Sequence, residues 1–234
     1  MECLFFSDFD QLSNSIILPQ DEQKHLKVLR LKDGENIMIS NGKGLIALSQ
    51  VIYKNNEPIL VPIEFYPYYG ELENHISLAF CQIQTRDRLE FLIEKAIELG
   101  VAEIIIIHCD FSQKFNLQPE RIKNKAISAI KQSHRSILPQ IRYEKSLEIF
   151  LSKINPNLTL ILLDENGDNP LKETIRRDSI VFVGPEGGFS PEEMQIFGSM
   201  ENLLRWKLGN RRLRAETAAI KAISLLSAMF ENNV

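Results

Sequence analysis

The sequence predicts an α/β protein in two parts: a small β-rich domain, then a larger, mostly parallel sheet covered by helices on both faces. Three observations predict this. The first seventy or so residues hold short apolar or alternating runs broken by turn signals. From about residue 74 strand-like and helix-like segments alternate. Between the two, Tyr68–His75 is a short break rich in Tyr, Gly and Glu, which places domains at 1–72 and 73–234.

In the front part LFFS, ENIMISNG, GLIALSQVIY and ILVPIEFYP read as strands, with Asp33-Gly34 and Asn41-Gly42 as turns. Gly42-Lys43-Gly44 is a hairpin turn, because no helix follows it. PQDEQKHLKVLRL reads as a short helix with Asp21 near its start, which completes a small barrel or partly open sheet. In the back part ISLAFCQI is a strand. Asp87 is then expected to cap LEFLIEKAIEL, whose helix stops at Gly100. VAEIIIIHC is a buried β-branched strand, and PERIKNKAISAIKQSHR a helix with Pro119 in its first turn. LTLILLDE, SIVFVG and LLRWKL are further strands. NPLKETIRR is expected as a helix with Asn169 at the N-cap and Pro170 at N1, and AETAAIKAISLLSAMF as the closing helix.

At 234 residues, 44% of them hydrophobic, the chain can bury a real core. No run reaches the roughly 18–20 apolar residues of a membrane span, and the opening fifteen residues lack the pattern of a signal peptide. Cys3, Cys81 and Cys109 are odd in number and far apart, which argues against a disulfide framework. The four histidines sit at no metal-ligand spacing, so a reduced cytoplasm and no structural metal are expected. Net charge is −4, against a nucleic-acid partner at first sight. Yet residues 111–145 carry eight basic side chains against two acids, and residues 203–221 carry six against one. These islands are either phosphate contacts or solvated helix faces.

Ligands of open α/β sheets bind at the carboxyl ends of strands. Two turns there stand out. In SIVFVGPEGGFSPEEM, Gly184, Gly187 and Gly188 follow a strand. Ser190, Pro191 and Glu193 then start a helix with a capping box. The turn either admits a ligand close to the main chain or is simply tight. In WKLGNRRLRAETAA, Lys207, Arg211, Arg212 and Arg214 crowd the mouth of a turn, which makes poor core and good anion binding. Asp164 and Glu165 end another strand and read as a solvated pair. No G-x-G-x-x-G, Walker A or G-x-S-x-G motif occurs, so dinucleotide oxidoreductase, P-loop and hydrolase chemistries lack their signatures.

These two turns, in this order, resemble those of the RsmE-type rRNA uridine-N3 methyltransferases of the SPOUT superfamily. The resemblance runs along almost the whole chain: KHLKVLRLKDGE (24–35), IEKAIELGVAEI (93–104), KQSHRSILPQI (131–141), GPEGGFSPEE and LGNRRLRAETAA. It implies a PUA-like β-barrel that binds RNA, a SPOUT α/β domain with a C-terminal trefoil knot, a homodimer, and S-adenosylmethionine (SAM) as methyl donor. It places the cofactor by Leu163, Gly184, Glu186, Gly187, Gly188, Leu208, Gly209 and Leu213. The substrate it implies is 16S rRNA in the small ribosomal subunit. Arg214 and then Arg211 are candidates to stabilise the uracil anion. Glu216 is either a proton acceptor or a favourable first-turn charge. RNA would cross Lys24, His25, Lys27, Arg30, Lys131 and Arg135, with His25 alternatively packed in the barrel. Cys3, Lys114, Lys131 and Arg212 depart from the family's usual residues, all on the substrate side. A SPOUT enzyme with another RNA target and a non-catalytic assembly factor are the rival expectations.

Overall fold

The alternating front of the chain becomes a four-stranded sheet. In the computed structural model β1 (Leu4–Phe6), β2 (Asn36–Ser40), β3 (Leu45–Lys54) and β4 (Glu57–Pro67) lie in that order. The first pair is parallel and the others antiparallel. Residues 4–55, 57–81, 83, 85–112, 118–170, 175 and 177–231 are described. Asn41 closes the β2–β3 turn, its side-chain oxygen accepting from the N–H groups of Lys43 and Leu45. Gly42 and Gly44 there take φ of 68° and 98°, a region L side chains avoid. Pro58, Pro62 and Pro67 are tolerated because β4 is an edge strand and loses no ladder bond on its open side. Helix α1 (Gln20–Val28) adds Leu26 to a core of Phe5, Ile16, Leu18, Ile37, Ile39, Val51 and Leu60.

This sheet belongs to a unit of Met1–Glu71 and Ala126–Leu138; Leu72–Lys125 and Pro139–Val234 form a second. The second unit holds six strands in the order β10-β8-β9-β5-β6-β7, every pair parallel. They are β5 (Ile76–Cys81), β6 (Val101–Ile107), β7 (Gln140–Glu144), β8 (Thr159–Asp168), β9 (Ser179–Val183) and β10 (Leu203–Trp206). Parallel strands need crossovers, supplied in part by α2 (Arg86–Glu98), α3 (Pro119–Ser133), α4 (Leu147–Leu151) and α5 (Pro191–Gly198). The chain closes with α6 (Ala215–Glu231), which packs on α2. Phe182 on β9 is fully buried, its ring 6.1 Å from Phe150 and 5.1 Å from Phe197, so one aromatic cluster ties α4, β9 and α5 together. Among the described residues no helix is long and apolar enough to cross a membrane.

Several expectations are corrected. Asp87 does not cap α2: the N-cap is Thr85, and Asp87 lies inside the first turn. The strand β7 and the short helix α4 were not foreseen. The helix expected over 169–177 lies largely outside the described residues, as do Cys3 and Lys114. The main correction concerns cysteine. Cys81 and Cys109 form a disulfide, with Cα atoms 5.7 Å apart. An odd number of widely spaced cysteines argued against a disulfide framework, but the parallel β5–β6 register sets Cys81 opposite Ile107, two residues before Cys109. The chain-entropy effect of such a link is roughly 3–4 kcal/mol. Urea unfolding without reductant is therefore expected at a clearly higher midpoint than with it. Equal midpoints would show that the two side chains are thiols in solution.

Candidate active site

Strands β8, β9 and β10 are neighbours in the sheet, so their carboxyl ends and the loops leaving them converge. Together with the start of α6 they enclose a cavity of about 780 Å³, within the range of small-molecule sites. Leu163, Val183, Leu208 and Leu213 supply apolar wall; Arg88, Glu186, Arg211, Arg212 and Arg214 supply charge. Of the residues expected to hold the cofactor, Leu163, Gly184, Glu186, Gly188, Leu208, Gly209 and Leu213 line this cavity. Gly187 does not. A Cβ on Gly187 would meet the Phe111 ring at ordinary contact distance, 3.6 Å.

The glycine loop is fixed at both ends. A Cβ on Gly184 would lie 3.1 Å from the Phe189 ring, and Phe189 stacks edge-on against Phe197 at 5.0 Å. At the other end Ser190 and Glu193 form the expected capping box, with Pro191 at N1. The loop after β6 locks that box: Ser190 Oγ donates to Asp110 Oδ2 at 2.6 Å, and the Asp110 N–H donates to Glu193 Oε1 at 3.1 Å. Gly188 has φ of 77°, and a Cβ placed on it would have nothing within 4 Å, so main chain is exposed there to the cavity. Gly209 has φ of 128°, and Lys221 Nζ donates to the neighbouring Leu208 carbonyl at 2.6 Å, which pins the second loop. Two loops with exposed backbone, apolar walls and mixed charge fit a nucleoside-sized cofactor that carries its own positive and negative groups.

The two basic islands separate. In the first, Arg121 pairs with Glu90, Lys125 with Glu94, and Arg142 with Glu103 and Glu144. Those charges are largely paired with acids of the fold at its surface. In the second, Arg205 pairs with Asp164, but Arg211, Arg212 and Arg214 are not fully buried and make no ion pair among the described residues. Uncompensated guanidinium groups at a cavity mouth attract anions. Glu216 does not line the cavity and is 6% exposed. Arg88 Nε and Nη2 donate to its two oxygens at 2.9 and 2.6 Å. Burial alone would raise the Glu216 carboxyl pKa, but the Arg88 hydrogen bonds, its backbone hydrogen bond and the charges of Arg88 and Arg214 outweigh it and hold it below the usual range. An ionised carboxylate with both oxygens engaged is a poor proton acceptor, which favours a positional role. Arg88 itself was missed in the sequence. A cation in the first turn of a helix opposes the macrodipole, and that was the available signal.

The residues expected at RNA lie in the first unit. Lys24, Lys27 and Arg30 are exposed on and just after α1. His25 is half-buried, its ring 5.2 Å from that of Phe5. Lys131 Nζ donates to Glu22 at 2.6 Å and sits 5.8 Å over the Phe5 ring. Arg135 departs from expectation: it is 2% exposed and bonded to Glu71, so its guanidinium faces the protein interior.

Comparison with known proteins agrees with this geometry. A model of the RNA methyltransferase domain matches residues 70–227, and one of the RNA methyltransferase PUA domain matches residues 18–63. Ribosomal RNA small subunit methyltransferase E of Rickettsia conorii is 32% identical over 221 residues, covering 91% of this chain and 89% of its own. The protein of the same name from Aquifex aeolicus is 30% identical, over 95% and 98%. Among solved structures, a probable rRNA methyltransferase from Porphyromonas gingivalis superposes with a TM-score of 0.87 at 25% identity, over 99% of this chain and 100% of that one. A putative methyltransferase from Legionella pneumophila, solved with bound SAM, gives 0.83 at 26% identity, over 97% and 98%.

Proposed function

The chain belongs to the RNA methyltransferase family, and on that premise we propose that it transfers the methyl group of SAM to N3 of one uridine in 16S rRNA of the small ribosomal subunit. The observation that carries this is the cavity at the adjacent ends of β8, β9 and β10, where two pinned loops meet three arginines without ion-pair partners among the described residues.

Bound there, SAM supplies a methyl group on a positively charged sulfur. The protein's work is the rest. Leu163, Gly184, Glu186, Gly188, Leu208, Gly209 and Leu213 hold the donor, with Gly187 giving the turn its course. N3 of uridine carries a proton at neutral pH and becomes a nucleophile only on losing it, here to solvent. Arg214, seconded by Arg211, stabilises the negative charge that then spreads to the uracil carbonyl oxygens. The new N–C bond would then form as the methyl–sulfur bond of the donor breaks and the neutral thioether leaves. Holding donor and base in line removes most of the remaining entropic cost. Residues 73–234 carry this chemistry, and residues 1–72 bind RNA through Lys24, Lys27 and Arg30, with His25 behind them and Lys131 joining from the 126–138 stretch that belongs to the same unit. As the resemblance implies, the C-terminal segment is threaded as a trefoil knot and the enzyme works as a homodimer in the cytoplasm. The Cys81–Cys109 link is expected in the purified, oxidised protein and would open under the reducing conditions of a cytoplasm, which is why its unfolding is compared with and without reductant.

The test is methyl transfer from labelled SAM to small subunits lacking the modification, with the product nucleoside identified by mass spectrometry. 3-Methyluridine at one position is expected. A different methylated nucleoside would move the target. SAM and subunit binding without transfer would favour an assembly factor.

A further inference from the structure

One guanidinium in the site joins two elements that the proposed reaction must keep in register. Arg88 opens from the first turn of α2, the helix that follows β5. Its Nη1 donates to Glu186 Oε1 in the glycine loop at 2.9 Å, while Nε and Nη2 grip both oxygens of Glu216 in the first turn of α6. The two arms differ in surroundings. The Glu216 side chain is 7% exposed and that of Glu186 37%, so the first arm is a fixed anchor and the second can respond to what occupies the cavity. Arg214 lies two residues before Glu216, and its main-chain carbonyl accepts the Ala218 N–H of the same helix start at 2.9 Å. Moving Glu216 therefore moves Arg214.

We propose that Arg88 is a positioning residue that locks the donor-binding glycine loop to the helix start carrying Arg214, so that methyl donor and base-stabilising charge share one frame. The proposal rests on the methyltransferase reading of the cavity. A planar fork is needed because three N–H groups point to two carboxylates at once; an ammonium serves them less well. Misplacement of about 1 Å between reacting groups is enough to cost ~100-fold in rate.

The test is a double-mutant cycle on the full chain with Arg88→Met, Arg88→Lys, Glu186→Gln and the Arg88→Met/Glu186→Gln pair. SAM affinity is measured by calorimetry, kcat and RNA KM with small subunits, and melting temperature alongside. Arg88→Met is expected to lower kcat by ~100-fold, as for a misplaced reacting group, with RNA KM little changed. Arg88→Lys should recover part of that loss. In kcat at saturating SAM the double variant should be no worse than Arg88→Met, because Glu186 affects turnover through Arg88 while its own contact with the donor is read in SAM affinity. Additive losses, an unaltered kcat in Arg88→Met, or a rate loss fully matched by loss of folded protein would overturn the proposal. If the wild-type protein binds SAM but methylates no RNA, the methyltransferase reading fails. The Arg88–Glu186 coupling is then read in SAM affinity alone, where additivity again counts against it.

Discussion

Replacing Arg214 by alanine is expected to lower methyl-transfer turnover by ~10²–10³-fold, the usual loss when one donor aimed at a developing oxyanion is removed. SAM affinity should change only a few-fold. The expectation follows from where the side chain stands. Arg214 lines the cavity mouth, is not buried and makes no ion pair among the described residues, so truncating it orphans no buried group and leaves no void. The helix start is held independently, by Glu216 on Arg88 and by the Ala218 N–H on the Arg214 carbonyl, which survives the substitution. What disappears is positive charge on the substrate side. A group that acts only as negative charge develops lowers kcat and kcat/KM together. Single-turnover rates with unmodified small subunits, set beside calorimetric SAM binding, separate the cases. Equal losses in rate and in SAM affinity would mean that Arg214 serves the cofactor and not the uracil.

Much of this site is legible in the sequence because it is built from local signals. Ser190, Pro191 and Glu193 announce a helix start within four residues, and the structure forms that capping box. Glycines after an apolar strand mark the loop, and Gly188 and Gly209 do take positive φ. The sheet is legible for the same reason: β6 and β9 are buried and strongly β-branched or apolar, so their pattern survives any context. Elements without such a pattern escaped. β7 is an edge strand whose five residues mix Arg142 and Glu144 into a half-buried run, and α4 is too short to show a helical period. Pairings across the chain escaped entirely. Arg88 meets Glu216 over 128 residues and Cys81 meets Cys109 only because two parallel strands lie side by side. Charge counting is blind to partners in the same way. The first basic island stays open between phosphate contacts and solvated helix faces until its partners Glu90, Glu94, Glu103 and Glu71, distant in sequence, are seen to pair with much of it.

Glu71 and Arg135 show how much one such distant pairing can carry. Substitution of Glu71 by alanine is expected to destabilise the first unit by about 3–5 kcal/mol, the usual cost of removing one partner of a buried ion pair. Arg135 is 2% exposed and the Glu71 side chain 9%. Glu71 Oε2 accepts from Arg135 Nη2 at 2.5 Å and Nε at 3.1 Å, while Oε1 accepts the backbone N–H groups of Ser136 and Ile137 at 2.9 and 2.8 Å. One carboxylate thus accepts from a buried guanidinium and from two backbone amides. Gly70 lets the chain pass this close: at φ of 73°, its missing Cβ would sit 2.7 Å from the His134 carbonyl. Alanine removes every one of these acceptors, whereas Glu71→Gln keeps the shape and loses the charge, and should cost less. Chemical denaturation of both variants measures this. RNA binding to Arg135→Ala, measured under conditions where the protein is folded, decides the residue's role. A phosphate contact would lower the salt dependence of binding by about one unit of slope at unchanged stability. A buried strut leaves the slope alone and lowers the denaturation midpoint, and that is the expected outcome.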